Sequence, residues 1–179
     1  MYDAPVQRRK QHHLPDEFFE GEYHVVYLTV CTANRGRWLE VPELASIVRD
    51  EILKLHMDHP VIGYCIMPDH IHLLACNAGS KVGTIMNGFK GRISRRVRSE
   101  QPDLEVWQGG YWDHIVRREE GLYKVLQYIF LNPVRAGLVE KWWGYPWLGA
   151  PMHGEVGPDF FGLASPEDIM WRELLRIEE

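Results

Sequence analysis

The amino-acid sequence predicts a single α+β domain built on an antiparallel sheet. Runs rich in β-branched and aromatic residues alternate with segments in which apolar residues recur every three or four positions. These two patterns are typical of strands and of amphipathic helices. Their order along the chain is strand, helix, strand, strand, helix, strand. The length of 179 residues, 45% of them hydrophobic, fits one domain with a sizeable core.

Three strands and one helix are predicted in the first half of the chain. Residues 23–32, YHVVYLTVCT, have the composition of a strand. Residues 42–57 form an amphipathic helix that starts at a proline, with an apolar face made by Leu44, Val48, Ile52 and Leu55. Two further strands, 61–67 and 70–76, are separated by a Pro68-Asp69 turn, so we expect them to pair as a hairpin.

The second half adds a helix, a strand and a third helix. Ser80 is a suitable N-cap for a helix whose apolar face consists of Val82, Ile85, Met86, Phe89, Ile93 and Val97. Residues 107–117 contain a Gly109-Gly110 turn, and residues 111–117 after it are expected to form a fourth strand. The resulting order is that of a ferredoxin-like fold, in which both helices cover one face of the antiparallel sheet. A third helix, 119–131, ends before Pro133 and is expected to carry Tyr128 across the open face.

Two histidines at the start of the third predicted strand are the first candidates for chemistry. Successive side chains in a strand point to opposite faces, so His70 and His72 share one face while Ile71 and Leu73 point to the other. The two imidazoles, about 6 to 7 Å apart along the strand, can converge on one divalent ion through neutral ring nitrogens. The alternative is that the spacing arises by chance and both histidines are ordinary strand residues.

The sequence around these histidines resembles a known family. The motif PDHIHLL at 68–74 and the segment YIFLNPVRAGLV at 128–139 are similar to those of the REP-associated tyrosine transposases, within the wider His-hydrophobic-His class of single-tyrosine DNA nucleases. The resemblance covers roughly residues 22–148. It implies a ferredoxin-like fold, cleavage and rejoining of single-stranded DNA, and hairpin-containing repeats as the partner.

The resemblance also implies roles for individual residues. Tyr128 would be the nucleophile, giving a 5′-phosphotyrosine and a free 3′ hydroxyl. His70, His72 and Asn132 would hold a divalent metal, Mg²⁺ or Mn²⁺, that polarises the scissile phosphate. Asn132 lies four residues after Tyr128 and therefore near it, although the helix end can use this amide as a cap instead. Because a phosphotyrosine conserves the energy of the broken bond, another strand can be joined without ATP.

The charge distribution marks two basic segments as candidates for contacts to DNA. The net charge of −5 opposes DNA binding, but residues 155–179 carry seven acids and two arginines, which leaves 18 charges of each sign in the first 154 residues. Residues 70–99 contain no acid, and their helix carries the predicted phosphate-contacting residues Lys90, Arg92, Arg95, Arg96 and Arg98. A solvated helix face is the alternative. The N-terminal candidates are Arg8, Arg9 and Lys10, in a segment equally consistent with a disordered tail.

The chain is divided by these patterns into an N-terminal arm at 1–21, the nuclease domain at 22–148, and a linker with an acidic helix at 149–179. That helix could dock on the domain, form a dimer contact or shield the basic face, so a monomer and a homodimer both stay open. Three cysteines fit neither a zinc site nor a disulfide framework and are expected to be buried free thiols. No signal peptide or membrane span is recognised, which favours a cytoplasmic protein without a membrane partner.

Two other functions are compatible with parts of the pattern. A noncatalytic protein that binds single-stranded DNA or RNA hairpins on the same fold would use the sheet face and the arginines of the second helix. It would not need His70, His72 and Tyr128, so their joint presence favours the nuclease. Rolling-circle initiators and relaxases share the chemistry but usually carry helicase or primase domains, for which 179 residues leave no room. The aromatic segment 142–147 is expected to pack on the third helix, with base stacking as the alternative.

Overall fold

The structure is a computed structural model that describes residues 19–118 and 121–161. Its strands are β1 (Val25–Cys31), β2 (Val61–Met67), β3 (His70–Cys76), β4 (Trp112–Ile115) and β5 (Leu148–Gly149). Its helices are α1 (Pro42–Asp58), α2 (Val82–Glu100), α3 (Leu122–Phe130) and the single turn α4 (Asn132–Arg135). The strands form one antiparallel sheet in the order β4, β1, β3, β2, β5. This order confirms the α+β, ferredoxin-like arrangement that the sequence predicts.

The helices α1 and α2 cover one face of the sheet. Their apolar stripes, including Ile52 and Phe89, are buried against Ile71 and Leu73 of β3, as predicted. Ser80 does not cap α2, because it belongs to the preceding turn: its amide donates to the Asn77 carbonyl, and its own carbonyl accepts a bond from the Asn77 side chain. Lys81 occupies the N-cap position of α2, but its side chain does not form a capping hydrogen bond to the helix.

The helix α3 crosses the opposite face of the sheet, as expected. Its buried side chains pack on that face in a second apolar core, and they are Leu122, Leu126, Ile129 and Phe130. Gly63 of β2 allows the close approach, since a Cβ at this position would overlap Leu126 Cδ1. Gly63 therefore fixes how closely α3, and any side chain that it presents, lies over the sheet.

The fourth strand is shorter than predicted, and a fifth strand adds to the other edge of the sheet. The strand β4 runs from Trp112 to Ile115, whereas the prediction covered residues 111–117. Trp107, before the glycine turn, forms only an isolated bridge with Thr32. The two residues of β5 pair with Tyr64 and Cys65 of β2. A two-residue strand has no periodicity to detect, which is why the sequence did not indicate it.

The aromatic segment 142–147 mainly packs against the body of the protein. Trp142 is buried against Phe130 of α3, with ring centroids 5.4 Å apart, and Tyr145 donates a hydrogen bond to the Ile66 carbonyl. Trp143 is the exception, with 40% of its surface exposed. Packing is therefore the role that the structure shows for most of this segment.

Several expectations concern residues outside the described part of the chain. Arg8, Arg9 and Lys10 of the N-terminal arm lie there, as does the acidic helix expected near the C-terminus. All three cysteines are free, with Cys65 and Cys76 buried and Cys31 half-buried. Across 19–118 and 121–161, every helix is too short or too polar to cross a bilayer.

Candidate active site

His70 and His72 lie side by side on the face of the sheet that α3 crosses. The alternation along β3 places them on the same side as Leu74, which packs in the α3 core, while Ile71 and Leu73 pack under α1 and α2. Their imidazoles converge, with the two Nε2 atoms 3.0 Å apart. The sequence-based expectation that the pair shares one face is therefore met.

The other nitrogen of each ring is held by a separate partner. His70 Nδ1 lies 2.6 Å from Asp69 Oδ1, and because a carboxylate only accepts, Nδ1 donates this bond and Nε2 is the nitrogen available to bind a metal. His72 Nδ1 lies 2.8 Å from the Tyr27 hydroxyl and 3.2 Å from the Thr29 hydroxyl. Both hydroxyls come from β1, where Thr29 is directly opposite His72 in the register. These contacts orient both rings with Nε2 toward the same point.

The electrostatic environment keeps the His72 imidazole neutral. Burial is the largest cause that lowers the pKa of His72 to about 3, and the positive charges of Arg135 and Arg35 act in the same direction. Burial also raises the pKa of Tyr27 to about 12, so its hydroxyl keeps its proton at neutral pH. A neutral imidazole with a fixed Nε2 is the form that binds a metal ion.

Tyr128 lies on α3 above the same face, and 52% of its surface is exposed. The Tyr27 ring lies edge-on to the Tyr128 ring, with centroids 6.4 Å apart, while the Tyr27 hydroxyl contacts His72. One side chain therefore contacts both a histidine of the pair and the predicted nucleophile. Tyr123 is half-buried, contributes to the α3 core and lies elsewhere on the helix, in line with its five-residue offset.

Arg135 holds its positively charged guanidinium over the ring of Tyr128. Its guanidinium carbon lies 4.2 Å from the centroid of the Tyr128 ring, and its Nη2 donates to the Tyr128 carbonyl at 2.6 Å. Arg135 lies on α4, seven residues after Tyr128 in the chain, and its side chain reaches back to the end of α3. Positive charge is thereby fixed beside the exposed phenol.

Asn132 caps the C-terminal end of α3. Its Nδ2 donates to the carbonyl oxygens of Tyr128 and Ile129, each at 3.1 Å. The amide nitrogen of Asn132 therefore acts as a helix cap. A metal contact through its amide oxygen stays a prediction.

Comparison with known proteins assigns the family. A family model described as "Transposase IS200 like" matches residues 17–130, well over half of the chain. The chain belongs to the IS200-like transposase family. A Haemophilus influenzae protein named as a candidate REP-associated tyrosine transposase is 28% identical over 121 residues, which cover 60% of this chain and 69% of that protein. An Escherichia coli REP-associated tyrosine transposase is 24% identical over 151 residues, covering 80% and 85% of the two chains.

A solved structure shows the same fold. It contains a REP-associated tyrosine transposase bound to a REP hairpin, and it matches this transposase with a TM-score of 0.58 at 19% identity. The match covers 83% of this chain and 82% of the other. The family and the fold implied by the PDHIHLL and YIFLNPVRAGLV motifs are therefore confirmed.

The family resemblance implies a divalent metal, and the histidine pair of this transposase fits one. Two nitrogens that each lie about 2.1 Å from one ion at a right angle are about 3.0 Å apart, which is the observed Nε2 separation. Among the described residues, His, Cys, Asp and Glu form no cluster of three or more that could hold a metal. Within the described residues, candidates for further ligands are groups of another kind, such as the Asn132 amide oxygen, and water or a phosphate oxygen could complete the set.

The basic cluster predicted on α2 lies in the helix layer, away from the histidine pair. Arg92 donates to Glu51 of α1 at 2.9 Å, and Arg96 donates to Glu51 at 3.0 Å and to Asp50 at 3.1 Å. Glu51 is only 1% exposed. Burial alone would raise its pKa, but bonds from Lys54, Arg92 and Arg96 outweigh burial and lower the pKa to about 2. These two arginines therefore hold α2 to α1.

Lys90 is also engaged within the protein. Its ammonium donates to two backbone carbonyls of the segment after α2, those of Gln108 at 2.9 Å and Gly110 at 2.7 Å. Lys90, Arg92 and Arg96 thus have partners within the protein, which the local charge pattern did not indicate, and phosphate contact by these three residues stays a prediction. Arg95 and Arg98 are exposed and have no ion pair within the described ranges, so phosphate contact by these two stays a prediction.

Four residues around the site were missed by sequence reasoning. Tyr27 and Thr29 belong to β1, and only the register of β1 against β3 brings their hydroxyls to His72. Trp112 on β4 is opposite Thr29 across the other edge of β1 and lies on the same face. Arg135 follows the predicted end of the third helix, and its place over Tyr128 depends on the turn between α3 and α4.

Proposed function

We propose that this transposase cleaves and rejoins single-stranded DNA through a covalent intermediate on Tyr128, with a divalent metal, Mg²⁺ or Mn²⁺, held by His70 and His72. The observation that carries the proposal is the convergence of the two Nε2 atoms on the sheet face that Tyr128 overlies. The names of the relatives support a DNA substrate, and the repeat hairpin bound by the structural neighbour supports hairpin-containing repeats as the target.

In the proposed cleavage step, Tyr128 is the nucleophile. The Tyr128 hydroxyl attacks the scissile phosphorus, so a phosphotyrosine bond to the 5′ side forms while the bond to the 3′ oxygen breaks, and that oxygen leaves as a hydroxyl. A phenol must lose its proton to attack. Arg135 holds positive charge against the Tyr128 ring, where it would offset the negative charge of the attacked phosphate. Attack by the 3′ hydroxyl of another strand reverses the step and joins the two strands.

The role proposed for His70 and His72 is to bind the metal ion. When bound, the metal ion would neutralise charge on the nonbridging phosphate oxygens and orient the phosphate. His70 and His72 would hold it through Nε2, since Asp69, Tyr27 and Thr29 engage both Nδ1 atoms. Asn132 is a candidate third ligand through its amide oxygen. Hydrogen-bond partners of the second ring nitrogen, here Asp69, Tyr27 and Thr29, usually fix the orientation of metal-binding histidines.

A gel assay with two matched tyrosine variants tests the proposal. The protein is incubated with a pool of single-stranded hairpin oligonucleotides and Mn²⁺, and denaturing electrophoresis detects protein joined to DNA. We expect a covalent band that disappears in chelator and in Tyr128→Phe but persists in Tyr123→Phe, which alters the other tyrosine of α3. A folded protein that binds the hairpins without forming an adduct would instead support the noncatalytic hairpin-binding function.

A further inference from the structure

A groove between β4 and α3 lies next to Tyr128. Six side chains line it, and they are Tyr27, Trp112, His114, Lys124, Val125 and Tyr128. Four of the six are aromatic rings, and the groove is open to solvent along its length. No acidic residue belongs to this lining. The cleavage and metal-binding steps described above leave Trp112, His114 and Lys124 without a function.

Trp112 is held in position but remains accessible. Its ring stacks on His114 at 5.9 Å between centroids with an angle of 17°, and it contacts the Tyr27 ring edge-on at 5.3 Å. Even so, 48% of its surface is exposed. An exposed tryptophan that is held by ring contacts with Tyr27 and His114, in a groove lined by further rings, offers a flat surface that an aromatic ligand can cover.

The charge around the groove identifies the class of ligand. Lys124 is exposed at the groove and makes no ion pair within the part of the chain that the structure describes. Arg135 adds a second positive charge against Tyr128. Aromatic faces combined with unbalanced cations suit unpaired nucleotides, whose bases stack on rings while their phosphates contact lysine and arginine.

We propose that this groove is a nucleobase subsite, in which Trp112 stacks on an unpaired base beside the phosphate attacked by Tyr128 and Lys124 contacts the backbone. The subsite rests on the proposed function, since Tyr128 lines the groove and a strand lying in it would present its phosphate to that residue. Stacking is largely indifferent to the identity of the base. The groove would therefore position the strand, and the choice of target sequence would come from other contacts.

Binding measurements on a strand that lacks bases isolate the stacking contribution. The probes are a labelled oligothymidylate of about eight nucleotides, a typical site size, and an abasic oligomer of the same length and charge. Fluorescence anisotropy in chelator measures affinity without cleavage. We expect the native protein to bind the oligothymidylate about tenfold more tightly than the abasic strand. Trp112→Leu should abolish this preference, Trp112→Phe should retain part of it, and Trp143→Leu, which alters an exposed tryptophan elsewhere, should leave it intact.

The lysine provides an independent test of the same subsite. Lys124→Gln should weaken binding of both oligomers equally and reduce the slope of log affinity against log salt concentration by about 0.7, the value for one phosphate contact on a single strand. Equal affinity of the native protein for the two oligomers, or a base preference that survives in Trp112→Leu, would overturn the subsite. These outcomes are separate from the adduct assay, because loss of the adduct with an intact base preference would count against the proposed function alone.

Discussion

The Tyr27 hydroxyl offers a sharp test of how the histidine pair is organised. Tyr27→Phe removes this one oxygen and keeps the ring that packs against Trp112 and Tyr128. The lost contact is the 2.8 Å hydrogen bond between the Tyr27 hydroxyl and His72 Nδ1, while the longer contact between the Thr29 hydroxyl and Nδ1, at 3.2 Å, remains. If these hydroxyls hold the imidazole with Nε2 toward the ion, the variant should bind Mn²⁺ more weakly without losing its fold.

The size of the effect follows from the number of partners that remain. Loss of an outer hydrogen-bond partner of a metal-binding histidine typically lowers metal affinity about 10- to 100-fold. Because Thr29 still contacts Nδ1, we expect the lower end for Tyr27→Phe, about tenfold or about 1.4 kcal/mol. The double variant Tyr27→Phe/Thr29→Val should approach about 100-fold, since no hydroxyl is then left at Nδ1.

Calorimetric titration with Mn²⁺ in the absence of DNA measures these affinities directly. Tyr64→Phe is the matched control, because Tyr64 is a buried tyrosine of β2 whose ring packs in the core under α1 and α2. It should bind Mn²⁺ like the native protein, and His72→Ala should not bind it measurably. Native affinity in Tyr27→Phe, together with lost binding in His72→Ala, would refute the orienting role. Unchanged binding in His72→Ala would refute the metal site itself.

Three further predictions concern stability and the placement of α3. Arg96→Gln should lower the free energy of unfolding, measured by urea titration, by about 1 kcal/mol, because it weakens the ion network on Glu51 at a partly exposed site. The folded-state pKa of His72 lies below its unfolded value, so its contribution to stability is complete above about pH 6.5 and is lost as the pH falls toward about 3. Urea titrations in chelator should therefore show a loss approaching about 1.4 kcal/mol per pH unit between about pH 6.5 and 4.5 that is absent in His72→Asn. Gly63→Ala should cost about 1 to 3 kcal/mol and reduce adduct formation, since the added Cβ overlaps Leu126 Cδ1 and displaces α3. A variant with native stability and full adduct yield would contradict that last expectation.

Local patterns in the sequence were sufficient for the elements that frame the site. The hairpin strands β2 and β3 have the predicted bounds, because the Pro68-Asp69 turn interrupts two β-prone runs sharply. The two-residue alternation of strands placed His70 and His72 on one face, and apolar spacing predicted α1 and α2. Each of these inferences depends on residues that are close together in the chain.

Contacts between distant segments could not be read in this way. The charge pattern of α2 showed basic residues without local acids, yet Arg92 and Arg96 pair with Glu51, more than forty residues earlier. Tyr27 is equally far from His72 and reaches it only through the pairing of β1 with β3. The sequence contains the charged and hydroxyl groups, but the sheet register and the helix packing determine which of these groups are in contact.

Mapping the covalent adduct by mass spectrometry tests the central proposal most directly. Trypsin cleaves after Lys124 and Arg135, so residues 125–135 form one peptide in which Tyr128 is the sole tyrosine, while Tyr123 falls in the preceding peptide. After reaction with a hairpin oligonucleotide and Mn²⁺, followed by nuclease and trypsin digestion, we expect the nucleotide mass on peptide 125–135 only. A modification on the peptide that contains Tyr123, or on any other peptide, would contradict the assignment of Tyr128 as the nucleophile.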